Sequence, residues 1–188
     1  MKTRIKEIFF ESIAVKEQTL EKNLSAIEAA VDVIAAALKR NNKVILFGNG
    51  GSAADSQHIA AEFIGRFKKE RRSLPAIALT TDTSALTALA NDYGFEVVFA
   101  RQLEGLGVHG DVAIGIATSG NSPNVIAAIK VAKKKGITAI TFTGNDGGKL
   151  ALLSDIKIIV PSKDTARIQE SHICVAHCIC ELVEDILS

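Results

Sequence analysis

Gly48-Asn-Gly-Gly-Ser52-Ala-Ala-Asp55-Ser-Gln-His58-Ile-Ala-Ala-Glu62 joins a glycine-rich turn to a helix-forming segment that carries an imidazole and a carboxylate. The apolar run Lys43-Val-Ile-Leu-Phe47 before it reads as a buried strand. Glycines let backbone N–H groups approach a ligand, and the helix that follows points its positive end at the turn, so this strand–turn–helix unit predicts an anion site. His58 and Glu62 stand four residues apart and share one helix face, expected a single turn beyond the anion.

Further runs continue the alternation. Strands are expected over Val44–Phe47, Ala76–Leu79, Val112–Ala117, Thr138–Phe142 and Ile156–Val160, each nearly continuous in apolarity, as buried parallel strands are. Helices fill the intervals at Ala53–Gly65, Ser84–Leu103 with a break at Asp92-Tyr-Gly94, Pro123–Lys135, a short turn after Gly148, and Thr165–Leu187. The expected architecture is a three-layer, doubly wound α/β fold with a five-stranded parallel sheet, its ligands at the carboxyl ends of the strands. Residues 1–41 form a helical arm ahead of the 42–188 core, in a single domain. Within the arm, Ser25-Ala-Ile-Glu28 has the form of a capping box. Leu20, Leu24, Ile27, Val31, Ile34 and Leu38 make a narrow apolar seam, suited to the chain's own core or, the favoured reading, to a second copy.

Composition narrows the function. The 188 residues are 47% hydrophobic with a net charge of +1, which supplies a core but no general attraction to nucleic acid or an anionic membrane. No signal-peptide core or membrane-length apolar run is present, so a cytoplasmic protein is expected. Cys174, Cys178 and Cys180 lack metal-finger spacing and read as reduced core residues.

A second loop, Thr118-Ser-Gly-Asn-Ser122-Pro123, offers hydroxyls and free N–H groups to a phosphate; it also reads as a turn with a capped helix. The Gly48 loop has a rival reading as a dinucleotide fingerprint with Asp82 as the ribose acid, although Asp82 stands farther on than the usual spacing. No Gly-Lys-Ser/Thr follows the turn, which excludes a Walker loop. Gln169 and His177 lie in a mostly apolar segment, where polar groups need partners.

Taken together, the N-terminal arm, Gly48-Asn-Gly-Gly-Ser52 with Asp55 and Gln57-His58-x-x-x-Glu62, Ala90-Asn91-Asp92, Thr118-Ser-Gly-Asn-Ser122, Thr143-Gly-x-Asp-Gly-Gly148, and Arg167-Ile-Gln-Glu170 with His177 resemble the phosphoheptose isomerase branch of the sugar isomerase (SIS) family, whose fold is flavodoxin-like. The resemblance implies conversion of sedoheptulose 7-phosphate to D-glycero-D-manno-heptose 7-phosphate, the first step toward activated heptose for bacterial surface polysaccharide. It also implies a homotetramer with sites at subunit interfaces and one zinc per subunit. Residue by residue, it sets Asn49, Gly50, Gly51, Asn91 and Asp92 around the sugar and Ser52, Thr118, Ser119 and Ser122 at the phosphate. His58, Glu62, Gln169 and His177 match the metal positions, and Glu62 and Gln169 also face substrate. Ala117 stands where relatives often carry serine, so one phosphate hydroxyl is missing.

The chemistry of the residues agrees. An aldose–ketose interconversion moves one proton between carbons and one between oxygens, work that a carboxylate and an imidazole can divide, so Glu62 is expected as the carbon base and His177 as the acid and base at oxygen. The runner-up is a noncatalytic SIS phosphosugar-binding protein that associates with the replication initiator. Such paralogues typically replace the positions held here by Glu62 and His177. Gln169 and His177 are eight residues apart, about 12 Å along one helix, too far to meet a single ion comfortably. Either that helix begins after Gln169 or a neighbouring chain supplies a ligand, the latter being favoured.

Overall fold

The computed structural model describes residues 1–188. A long helix α1 (Lys2–Lys39) leads into β1 (Val44–Gly48), α2 (Gly51–Ile64), β2 (Ala76–Ala78), α3 (Thr83–Tyr93) and α4 (Val98–Leu106). Then come β3 (Val112–Ala117), α5 (Pro123–Lys134), β4 (Thr138–Gly144), α6 (Gly148–Leu153), β5 (Ile156–Val160) and α7 (Thr165–Leu187). All five strands are parallel in the order β2-β1-β3-β4-β5. From β1 the chain crosses one way to β2 and the other way to β3, so the order reverses between β1 and β3. The loops leaving those strands diverge there and open a crevice.

Alternation along the strands divides the core into two layers. Val44 and Leu46, with Ile114, Ile116 and Phe142, face α1, α2 and α7, where Ile34, Leu38, Phe63, Val175 and Ile179 meet them. Ile45, Phe47, Ala113 and Ala139 face the opposite layer, built on Val98, Leu103, Val125 and Ile129 of α4 and α5. The free edge of β5 is closed by a side chain. Asn23 of α1 donates to Ile159 O at 3.0 Å and accepts from Ile159 N at 2.8 Å, pairing the edge backbone as another strand would.

Several expectations change. α1 runs unbroken through Ser25-Ala-Ile-Glu28, so the capping-box pattern lies inside a helix and caps nothing. Its apolar seam divides: Ile27, Val31, Ile34 and Leu38 are buried in the chain's own core, whereas Leu20 and Leu24 are exposed with Phe9, Phe10 and Ile13. The break expected at Asp92-Tyr-Gly94 is present: Gly94 adopts φ +94° and ends α3, and a 3-10 turn at Phe95–Val97 leads into α4. Only Cys180 is a core cysteine; Cys174 and Cys178 lie on the exposed side of α7. Burial pushes the Cys180 thiol up to about 12, so it stays protonated.

The opposite end of the sheet is fastened by Asp111, whose side chain is fully buried. It accepts from the N–H groups of Lys43 at 3.0 Å and Val108 at 3.0 Å, from Asn42 at 3.1 Å, and from the Lys43 ammonium at 2.7 Å. Burial alone would raise this carboxyl, but Lys43 and the N–H groups outweigh it and hold it below the usual carboxylate value. A depressed value contributes stability that is fully present above the unfolded value, near 3.9, and is lost as pH falls through the folded one. Asp111→Asn is therefore expected to lower the unfolding free energy by about 1–3 kcal/mol at neutral pH. Urea titrations should show that deficit constant down to about pH 5 and shrinking below about pH 4. A deficit that persists undiminished in acid would assign the cost to shape alone.

Candidate functional site

Both loops singled out by the sequence leave the sheet at the reversal between β1 and β3. The first turns on Gly50, whose φ of +56° costs a glycine little and which begins α2 with no side-chain cap. The second turns on Gly120, φ +66°, pressed against the backbone of Gly147 so closely that a side chain would not fit. Ser122 occupies the cap position of α5, yet its side chain makes no capping bond, and Pro123 brings no N–H to satisfy. The helix thus starts where the capped-helix reading put it, with Ser122 at the cap position and Pro123 in the first turn, but without a side-chain cap, so the Ser122 hydroxyl is not consumed by capping. Ser119 Oγ accepts from Asn121 N at 3.2 Å, Ser52 is buried in the first turn of α2, and Thr118 holds the neighbouring loop through its carbonyl, to which Asn145 donates at 3.2 Å.

A pair of amides joins the two loops. Asn49 donates to Asn124 Oδ1 at 2.9 Å and Asn124 donates back to Asn49 Oδ1 at 2.8 Å, while Asn124 Oδ1 also accepts from Val125 N. Asn124 is buried, and sequence reading passed over it; its only signal is an asparagine directly after the proline that opens α5. Beside the pair lies a cavity of about 450 Å³ lined by Asn49, Phe95, Glu96, Ser122, Pro123 and Asn124. Asn91 and Asp92 bond to each other at 2.8 Å at the end of α3, just ahead of this wall. A larger cavity of about 780 Å³, lined by Ser119, Asn121, Asn145, Asp146, Pro161, Ser162 and Lys163, lies across the Thr118–Ser122 loop. It includes one expected residue, Ser119, against two, Asn49 and Ser122, in the smaller cavity; neither cavity is lined by His58, Glu62 or His177. The smaller cavity draws on both loops and is the better candidate for a sugar phosphate.

Asp82 is spent elsewhere. Its carboxylate caps α3, accepting from Ala85 N at 2.9 Å, which removes the ribose acid that a dinucleotide site would need. Ala117 ends β3 with its methyl buried in the core.

The acid–base candidates stand on α2 and α7. His58 Nε2 lies 2.9 Å from His177 Nε2 and 3.4 Å from Glu62 Oε1, so one imidazole faces both expected catalytic groups within a single chain. His58 is seven residues beyond the first residue of α2, about 10 Å along the axis, two turns from the loop rather than the single turn expected. α7 starts at Thr165, before Gln169, which leaves Gln169 and His177 on one continuous helix. Gln169 consequently stands far up α7, its amide against Gly51, where a Cβ would displace it. The structure thus brings His58, Glu62 and His177 together and leaves Gln169 beside the anion loop.

Asp55, one turn before His58, is a further residue of the group. Its Oδ2 is buried without a partner; burial raises this carboxyl and the nearby His58 and His177 pull it back. His172 is structural. It is buried against Phe142, contacts Thr143 O at 3.0 Å, and is pushed down to about 4 by burial, so it is neutral.

Two imidazole nitrogens and a carboxylate oxygen form a donor set that suits zinc. Tetrahedral bonds near 2.1 Å place ligand atoms about 3.4 Å apart, the separation of His58 Nε2 and Glu62 Oε1. The His58–His177 contact of 2.9 Å is shorter than that edge, and no three His, Cys, Asp or Glu groups already stand at metal-binding geometry. In donor chemistry, two imidazoles and a carboxylate converging from α2 and α7, the residues fit a zinc ion.

A model of the SIS domain matches residues 9–144. The phosphoheptose isomerase of Aquifex aeolicus is 60% identical over 187 residues, covering 100% of this chain and 98% of that protein. That of Thermodesulfovibrio yellowstonii is 54% identical over 184 residues, covering 98% and 92%. The solved phosphoheptose isomerase of Neisseria gonorrhoeae superposes with a TM-score of 0.93 at 44% identity, covering 98% of each chain.

The amide pair between the loops generates a prediction. Asn49→Ala and Asn124→Ala each leave a partner unsatisfied, so a double-mutant cycle in urea should show the two changes coupled by about 0.5–3 kcal/mol. Additive losses would mean that the loops are held independently.

Proposed function

The chain belongs to the SIS domain family, and from that premise we propose that it is an aldose–ketose isomerase converting sedoheptulose 7-phosphate to D-glycero-D-manno-heptose 7-phosphate in heptose biosynthesis. The observation that carries the reading is the meeting of Glu62, His58 and His177 between α2 and α7, two to three helical turns below loops suited to a phosphate. A substrate with its reacting carbons at one end and its phosphate at the other suits that separation.

The steps assign themselves by chemical type. Glu62 takes a proton from C1 of the ketose as O2 gains one, giving an enediol; the carboxylate then returns its proton to C2 as O1 loses one. His177 serves the oxygens, giving a proton to O2 and receiving one from O1. Glu62 has two carboxylate oxygens, so Oε1 can face His58 while the other addresses carbon. The Gly48 and Thr118 loops orient the chain of the sugar, with Ser52, Thr118, Ser119 and Ser122 at the phosphate and Asn49, Asn91 and Asp92 along the carbons.

His58, Glu62 and His177 would hold a zinc ion, which supplies Lewis-acid polarisation of the substrate oxygens when bound. Gln169 is about 12 Å along α7 from His177 and stays outside that group within one chain. A homotetramer with sites at its subunit interfaces, as the family resemblance implies, would let another chain's Gln169 approach. The exposed apolar residues Phe9, Phe10, Ile13, Leu20 and Leu24 on α1 support such assembly. A cytoplasmic setting belongs to the same reading; no helix is long and apolar enough to cross a membrane. The noncatalytic alternative is disfavoured, since the relatives are named as isomerases and the chain keeps both Glu62 and His177.

Glu62→Gln should cut turnover of sedoheptulose 7-phosphate by about 10²- to 10⁴-fold with KM little changed, once zinc content has been matched to the wild-type chain. Near-normal turnover would remove Glu62 from the proton transfer.

A further inference from the structure

Below the acid–base group lies a buried node that the chemistry above does not use. Glu184, near the end of α7, turns its carboxylate into the segment that leaves α2. Its Oε1 accepts from Phe67 N at 2.9 Å, and its Oε2 accepts from Lys68 N at 2.7 Å and Lys69 N at 2.8 Å. Arg71 Nε stands 3.0 Å from Oε1, and the two side chains are 3% and 1% exposed. Burial pushes Glu184 upward, but the N–H groups and Arg71 outweigh it and hold the carboxyl below its usual range, so it is charged.

Arg71 spends the rest of its guanidinium on carbonyls. It donates to Glu62 O at 2.8 Å, Phe63 O at 2.9 Å, Gly65 O at 3.0 Å and Arg72 O at 3.0 Å. Glu62 and Phe63 belong to the last turn of α2, whose carbonyls have no helical partners, and a cation there also complements the helix dipole. A second arm reaches the opposite side of the site. Phe67, whose N–H Glu184 holds, sets its ring 5.4 Å from that of His177, itself 5.2 Å from the His58 ring. One carboxylate therefore governs both the backbone that carries Glu62 and the wall behind His177.

We propose that Glu184 and Arg71 are positioning residues: they fix the end of α2 and the Phe67 ring so that Glu62 and His177 meet the same substrate atoms. Their effect on rate rests on the isomerase reading. A misplacement near 1 Å at reacting groups costs roughly 10²-fold in rate, so loosening this node should appear in turnover before it appears in substrate binding.

The test compares Glu184→Gln, which keeps shape but removes charge, with Arg71→Lys and Arg71→Met, which keep and remove charge while losing the fan of carbonyl bonds. Turnover of sedoheptulose 7-phosphate is measured on zinc-loaded protein well below each variant's unfolding midpoint, with amide hydrogen exchange of residues 59–72 alongside. We expect kcat to fall about 10- to 100-fold with KM within about threefold, and exchange to quicken at the end of α2 and at Phe67. Arg71→Lys should retain more activity than Arg71→Met. Unchanged kcat despite faster exchange would reduce the node to a structural staple and overturn the proposal, as would a loss confined to KM. If Glu184→Gln does not fold, the Arg71 pair decides. If the wild-type chain does not convert the sugar, the isomerase reading falls separately; unchanged exchange in the variants would then overturn the positioning role itself.

Discussion

Everything in this site depends on the side-by-side docking of α2 and α7 on one face of the sheet. Contacts advance together along the two helices: Gln169 against Gly51 at the top, His177 against His58 in the middle, Glu184 against Phe67–Lys69 at the bottom. The helices are thus parallel, and any shift of one along the other would separate all three contacts. Apolar packing supplies the force that holds them. Ile59, Phe63, Val175 and Ile179 are buried between these helices and the sheet, each worth about 1.5–3 kcal/mol in transfer from water. The polar contacts add direction to that adhesion.

That docking separates binding from chemistry. Phosphate recognition needs backbone N–H groups and hydroxyls at a turn, which the sheet provides only where strands end and their order reverses. Proton transfer needs side chains held at fixed distances, which rigid helices provide better than loops. Because α2 starts in the anion loop and continues past His58 to Glu62, one helix ties the two functions together. Its length from Gly51, about 10 Å to His58 and about 16 Å to Glu62, suits an elongated phosphorylated substrate better than a small one.

Much of this was legible in the residues, for identifiable reasons. Continuous apolar strands and a glycine turn are local signals, so the five-stranded parallel sheet and the β1–α2 unit could be read directly. The spacing of His58 and Glu62 is likewise a helix property. Other features depend on contacts between distant segments. Asn124 pairs with Asn49 across 75 positions, and Glu184 reaches Phe67 across 117, so neither partnership leaves a local pattern. The capping-box pattern at Ser25 misled for the converse reason: a local signal was overridden where packing of Ile27, Val31 and Ile34 made one continuous helix more favourable. The split of the α1 seam is a matter of helix face: at this level α1 still meets the core through buried Thr19 and Asn23, the latter paired with Ile159, so Leu20 and Leu24 stand on its outer side.

The central claim is that this chain converts its sugar phosphate rather than merely holding it. The direct measurement is nuclear magnetic resonance of sedoheptulose 7-phosphate incubated with purified, zinc-supplemented protein. The account predicts the appearance of the aldose heptose 7-phosphate and approach to the same ketose–aldose ratio from either sugar. Saturable binding of the ketose with no conversion would contradict it and would mark the chain as a phosphosugar-binding protein.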